Sequence, residues 1–237
     1  MSHESRTDTT KLPVPTDPDV NAPVRATTVA DQWISVPGEW WNGELDRLRL
    51  PARPLELSVQ DERQGLSRRD VWRHADAALA DDEALLGLLL HSLAWGAGHR
   101  LRLCRKRLES VADDVAATVA VLRQAAEISR SDPVAAYSTL YPGGGAAIRW
   151  LGPAFGTKFL YFAGGGNPNH PSLILDSQVA TVLHRRGWTS LRSGGRWPAT
   201  TYGRYCDLLR RWATEMSHGG NKPTAPDQLE HWLFAEA

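Results

Sequence analysis

The sequence predicts an all-α protein, and three observations carry that expectation. Beyond residue 66, apolar side chains recur at three- and four-residue spacing almost throughout. Residues able to cap a helix, Ser67, Asp81, Asp132 and Asp176, stand directly before several of these runs. No segment alternates apolar and polar residues convincingly over five or more positions, so strands are a minor element. The chain has 237 residues, 42% apolar and 23% charged, enough for one ordinary core.

Residues 1–30 hold Pro13, Pro15, Pro18 and Pro23 among eight Ser/Thr and almost no large apolar groups. Such a stretch buries too little surface to offset its ordering entropy, so it is expected to be a disordered tail, with residues 31–237 one helical domain. Apolar weight returns at Trp33–Trp41, where Trp40 and Trp41 are read as packing onto the core. Pro51 and Pro54 mark an extended connection. Ser67 then caps a helix reaching about Ala80, and Asp81 caps one whose Leu85, Leu86, Leu88, Leu89, Leu90 and Leu93 are apolar nearly all round. That helix breaks at Trp95-Gly96-Ala97-Gly98, ahead of a basic run from His99 to Arg107. Val115, Val119, Leu122 and Ala126 share one face of the next helix, and another runs from Asp132 to Tyr141 with Pro133 at its first position. Gly143–Gly145 punctuate before a short helix leading to Leu151. Residues 157–163 are helical again, 164–169 form a loop, and Asp176 caps a helix carrying Val179, Val182 and Leu183. A long amphipathic helix follows Pro198, and the last starts near Pro226 and ends at Ala235.

Composition excludes several classes. Cys104 and Cys206 are the only cysteines, too few for a Cys₄ zinc or iron–sulfur site. The histidines show no paired ligand spacing, and Gly143-Gly144-Gly145 lacks the Gly-Lys-Ser/Thr of a P-loop. With no signal peptide and no long apolar run, the protein is expected to be soluble, cytoplasmic and without a membrane role. Lys+Arg and Asp+Glu balance at 27 each, but unevenly along the chain. Residues 143–216 carry nine cations against three anions and residues 99–107 five cations, whereas residues 56–83 carry eight acids against four arginines. A basic face of this kind suits phosphate contacts to one side of a duplex.

The informative stretch is Trp150-Leu151-Gly152-Pro153-Ala154-Phe155-Gly156-Thr157-Lys158, followed 18 residues later by Asp176 in Leu173-Ile174-Leu175-Asp176-Ser177. It reads as two helices joined by a tight Gly/Pro turn, the second starting at Gly156–Thr157. The exposed N–H groups and positive dipole end of that helix would then offer a phosphate site.

This pattern resembles the helix–hairpin–helix DNA glycosylase superfamily. The Gly156-Thr157-Lys158 ending and Asp176 at the head of the next helix resemble its 8-oxoguanine DNA glycosylase branch, in its compact bacterial form. The resemblance is specific over residues 146–190, extends in helix order from about residue 66, and does not cover residues 1–60. It implies a helical bundle with a cleft between two helical lobes, Lys158 as nucleophile and Asp176 as catalytic carboxylate. It further implies DNA-backbone contacts at Gly152, Phe155, Gly156 and Thr157, and a base pocket closed by Gln228 and Trp232, which resemble the family's Gln and its aromatic, usually Phe; Phe162, one helical turn after Lys158, is read as facing the same cleft, where the family has a smaller cysteine. A monovalent cation held by hairpin carbonyls around residues 152–157 is implied in the same way; no other cofactor is, and the two cysteines rule out the iron–sulfur branch.

The chemistry fits these residue types. Breaking an N-glycosidic bond builds positive charge on the sugar, which a carboxylate stabilises. A lysine acting as the free amine displaces the base and leaves a Schiff base, from which β-elimination nicks the strand. An enzyme acting on a duplex base must also flip it into an aromatic pocket. The expected partner is double-stranded DNA bearing a modified base, acted on by a monomer. Two substrates are open: an 8-oxoguanine-type lesion in repair, or a bulkier base such as a hypermodified cytosine of phage DNA, in antiviral defence. The alternative class is a non-catalytic helix–hairpin–helix DNA-binding protein.

Overall fold

The computed structural model describes residues 7–16, 24–219 and 223–237. Short helical turns at Thr9–Lys11 and Arg25–Val29 come first, and strands follow them. Strands β1 (Trp33–Ser35), β2 (Ser58–Gln60) and β3 (Arg63–Ser67) form a small antiparallel sheet ordered β1-β3-β2, with Trp33 opposite Ser67 and Ser58 opposite Gly65. Between β1 and β2 lies α1 (Gly38–Leu48), which buries Trp41 completely. The sheet matters because its first strand fixes Gln32 and Ile34, both of which reach the cleft described below.

Ser67 ends β3 and starts a helix in one step. Its hydroxyl accepts from the Asp70 amide at 3.1 Å while Asp70 accepts from the Ser67 amide at 2.9 Å. The helix expected from Ser67 to Ala80 is in fact two, α2 (Arg68–Trp72) and α3 (Ala75–Ala80). At the break, His74 lies against His91 with ring centroids 3.9 Å apart. Helix α4 (Asp82–Ala97) is capped by Asp81 as expected and is buried along nearly its whole length. Against it pack α3, α6 (Val115–Ser129) and α8 (Pro153–Phe162), while α5 (Cys104–Asp113) packs on α1, α7 (Pro133–Leu140) on α6, α8 and α10 (Ala199–Gly219), and α11 (Pro226–Ala235) on α9 (Ser177–Arg185) and α10. The Asp132 cap with Pro133 first in α7, and the Asp176 cap of α9, fall where the sequence puts them.

Two expectations need revision. No helix leads to Leu151: residues 146–151 are irregular, held by Ser110 Oγ donating to Arg149 O at 2.5 Å and Arg107 Nε donating to Trp150 O at 3.1 Å. The turn before it, Pro142–Gly144, holds Gly143 at φ 60°, outside helical backbone, so it does not propagate into a helix and side chains of α5 set the path. The described parts of residues 1–30 also depart from a disordered tail. Leu12 is buried, and its carbonyl accepts from Arg211 Nη2 at 2.7 Å and Trp212 Nε1 at 3.3 Å. Arg25 clamps Asp227 at 2.7–3.0 Å. These charge-assisted contacts to groups some 200 residues away supply what the local composition lacks. Residues 1–6 and 17–23 of that segment lie outside the described residues.

Candidate active site

Lys158 and Asp176 meet because their neighbours are stitched together. Thr157 is fully buried on α8, and its hydroxyl both donates to Leu175 O at 3.0 Å and accepts from Leu175 N at 3.1 Å. That two-way bond sets the strand-like approach of Leu173–Leu175 against α8, so the next residue on each side comes face to face. Lys158 Nζ donates to Asp176 Oδ2 at 3.0 Å and to Ala154 O at 3.4 Å. The other Asp176 oxygen caps α9, accepting from Gln178 N at 3.0 Å and Val179 N at 3.2 Å. The two side chains are only 8% and 11% exposed. Burial alone would push the Asp176 carboxyl up, but the Lys158 ammonium and the two helix amides outweigh it and hold the group below its ordinary value. Asp176 is therefore an anion with three donors fixed on it.

The pair lines a cleft of about 350 Å³, within the range of ligand sites. Gln32, Trp95, Arg100, Gln178, Glu230 and Phe234 line it too. Gly96 makes the approach of Lys158 feasible: a Cβ there would stand 2.7 Å from Lys158 Cδ. Glu230 is 1% exposed and ion-paired at 2.6 Å to Arg68, which is wholly buried. Burial raises the Glu230 carboxyl, an effect that the Arg68 charge opposes.

The other expected site residues divide. Helix α8 starts at Pro153, after Gly152 as N-cap, rather than at Gly156–Thr157. Phe155 and Gly156 amides both turn back to Gly152 O, at 2.9 and 3.1 Å. Gly156 packs directly on the Tyr141 hydroxyl and Thr157 is bonded to Leu175, so neither presents itself to a backbone phosphate. Gly152 remains at the surface, lining a hollow of about 170 Å³ with Trp150, Pro153 and Arg196. Phe155 carries the Arg107 guanidinium 4.0 Å over its ring. Phe162 is fully buried, edge-on to Trp95 at 5.2 Å, and it is Trp95 that reaches the cleft. Gln228 accepts from Ala225 N at 2.7 Å, and Trp232 lies under Arg186 at 4.3 Å. Neither lines the cleft; Glu230 and Phe234, the same spacing two residues on, do. A shift of two residues turns a helix face by roughly 200°, and α11 is buried on almost every side, so periodicity alone could not choose the face. For Gly96, the available signal was the small residue next to a helix break.

The charge pattern is also milder than the sequence suggests. Of the nine cations in residues 143–216, Lys158, Arg186, Arg210 and Arg211 sit in ion pairs with Asp176, Glu236, Asp207 and Glu215. Near the hairpin, Trp150 O accepts from Arg107 and from Gly152 N, and Ala154 O accepts from Lys158.

A family model described as "Putative 8-oxoguanine DNA glycosylase OGG-like protein" matches residues 27–234. The match takes in β1, α1 and β2, which the resemblance left uncovered, as well as Lys158, Asp176 and Glu230. No curated protein and no solved structure matches the chain. Among the described residues no helix is long and apolar enough to cross a membrane.

Proposed function

The chain belongs to the OGG-like family, whose description points to DNA glycosylase activity, and from that premise we propose that it excises a modified base from double-stranded DNA with Lys158 as nucleophile and Asp176 as catalytic carboxylate. The observation that carries this reading is the 3.0 Å contact between Lys158 Nζ and Asp176, buried at the wall of an open cleft. With a flipped-out nucleotide in that cleft, the Lys158 ammonium first gives a proton to solvent, and Nζ then attacks C1′ as the free amine. The C1′–N bond breaks, and the base leaves with the bonding electrons and takes up a proton. The Asp176 carboxylate faces the positive charge that develops on the sugar in between. The attacking nitrogen gives up both amine protons, one matched by the proton the base takes up and one by the proton the ring oxygen takes up as the ring opens, which leaves the Schiff base. Loss of a proton from C2′ then expels the 3′ phosphate, which is the strand-nicking step.

Asp176 suits its role because it stays ionised at neutral pH and cannot rotate away from its three donors. Water would compete with the amine, and the near-complete burial of the pair limits it. Arg100, which lines the cleft, and Arg196, beside Gly152, would meet backbone phosphates. An oxidised purine of the 8-oxoguanine type is the substrate this reading expects first.

The test is base release. A panel of duplexes, each with one modified base, is incubated with the protein, and freed base is identified by mass. Release of 8-oxoguanine supports repair of oxidised guanine. Release of a hypermodified cytosine alone would move the function to defence against phage DNA. Tight DNA binding that is unchanged in Lys158→Ala and Asp176→Asn, with no base released from any duplex, would replace the glycosylase with a binding module.

A further inference from the structure

Leu103 and Trp150 are unusual in two respects at once. Among the described residues, five other than glycine hold a positive φ: Arg49, Asp61, Glu62, Leu103 and Trp150. Local geometry accounts for three of them. Arg49 closes the end of α1, and Asp61 and Glu62 form the two-residue turn between β2 and β3. Leu103 at φ 64° and Trp150 at φ 65° have no such reason, and a bulky side chain makes this left-handed backbone costly. The same two are among the few large apolar side chains left at the surface, Trp150 44% and Leu103 36% exposed. One buried side chain holds both. Arg107 of α5 donates from Nε to Trp150 O at 3.1 Å and from Nη1 to Arg102 O, the carbonyl just before Leu103, at 3.2 Å. The fold thus maintains two strained turns, and each presents an apolar side chain to solvent instead of to the core.

These turns adjoin the cleft. The Arg107 guanidinium lies 4.0 Å over the Phe155 ring, and the same ring lies 6.0 Å from Lys158 Nζ, so Phe155 alone separates the clamp from the proposed nucleophile. The loop that carries Leu103 starts at Gly98 and Arg100, both of which line the cleft. Lys106 Nζ stands 4.6 Å over the Trp150 ring. Arg100, Arg102, Lys106 and Arg149 are all exposed, and among the described residues none of them is in an ion pair. Unpaired cations around exposed apolar groups match a nucleic acid, whose phosphates take the charges while its bases take the apolar faces. A nucleotide that leaves a duplex for the cleft leaves a gap in the stack, and apolar side chains pushed between base steps fill gaps of this kind. We propose that Trp150 and Leu103 enter the duplex beside the flipped nucleotide, Trp150 stacking on a base that the gap exposes and Leu103 filling the space beside it, so that the duplex is held open. The proposal rests on the glycosylase reading and names the residues that make a paired base accessible to it.

The test compares the full chain with its Trp150→Gly and Leu103→Gly variants. Glycine is at ease at positive φ, so the variants should fold, with a melting temperature held or raised while function falls. Trp150→Asn, which also tolerates this backbone, decides if the glycine variant does not fold. Two DNA contexts are used, one abasic site in a duplex and the same strand alone. Binding is read on a tetrahydrofuran analogue of the site, which forms no Schiff base, and chemistry by borohydride trapping on the true abasic site. On the duplex, Trp150→Gly should lose roughly 5- to 150-fold in affinity, the range of one base–aromatic stack, with trapping at low protein concentration slowed in proportion. Leu103→Gly should lose less. The single strand has no stack to enter, so both variants should stay within about threefold of wild type there. Trp150→Phe keeps an aromatic face and should recover most of the duplex affinity. Unchanged duplex binding and trapping in both glycine variants, or an equal loss on duplex and single strand, overturns the proposal. Wild-type trapping on the abasic duplex that these variants leave intact removes the role of Trp150 and Leu103 alone. Failure of the wild type to trap, together with failure to release any base, removes the glycosylase reading and this proposal with it.

Discussion

Replacing Gly96 with alanine perturbs the proposed nucleophile without touching it chemically. The new Cβ would lie 2.7 Å from Lys158 Cδ and 3.2 Å from both Lys158 Cε and Phe155 Cε1. Ordinary contact begins at 3.4 Å, so Cδ must retreat by about 0.7 Å. Nζ is two bonds further along, and its 3.0 Å bond to Asp176 is lost or redirected. A misplacement of about 1 Å at a reacting group costs about 100-fold in rate, so the variant should form the Schiff-base adduct about 10- to 100-fold more slowly. Its stability should change far less. Alanine gains about 1 kcal/mol over glycine in a helix, against about 1–3 kcal/mol for the added crowding. The assay is single-turnover borohydride trapping on an abasic duplex, with thermal melting alongside. Trapping within twofold of wild type, in a normally folded variant, would refute the claim that the pose held between Gly96 and Asp176 is the reactive one.

Asp176→Asn keeps the cap of α9 but removes the anion, so trapping and base release should fall by about 100-fold or more while the melting temperature changes by only a few degrees. The Asp176 carboxyl is held below its ordinary value, so it stays charged above pH 4 and its stabilising pairing is lost only as pH falls through the lowered value. An acid limb in the wild-type rate profile above pH 4 therefore belongs to another group. Thr157→Val leaves both Leu175 backbone groups without their partner in a buried place and should cost about 2–4 kcal/mol in a denaturant titration. His91 and His170 are held at about 4 instead of 6.5, chiefly by burial, so the unfolded chain takes up protons that the folded protein refuses. Their contribution is complete above pH 6.5 and falls away as pH drops from 6.5 to 4, by about 3 kcal/mol for each histidine at full titration, which melting curves across that range will show.

The parts of the site that were legible in the sequence are those set by near neighbours. Asp176 could be read as a helix cap because capping needs only the two amides that follow it. Lys158 could be paired with it through the spacing of a resembled motif, although the Thr157–Leu175 bond that enforces the pairing is visible only in three dimensions. What was not legible depends on distant partners. Arg25 finds Asp227 across some 200 residues, so proline-rich composition misjudged the segment that carries it. The face that α11 turns to the cleft is chosen by the bond between Glu230 and Arg68, and hydrophobic spacing is silent when nearly every residue of a helix is buried. The path into α8 is set by Arg107 and Ser110 from α5, which no local pattern around Gly152 announces.

The most direct measurement is the site of the covalent bond. The protein is incubated with a duplex containing 8-oxoguanine or a ready-made abasic site, reduced with borohydride, digested, and the cross-linked peptide sequenced by mass spectrometry. A DNA remnant on Lys158, absent in Lys158→Gln, is the predicted result. A remnant on any other amine, or an undiminished adduct in Lys158→Gln, would contradict the assignment of Lys158 as the nucleophile.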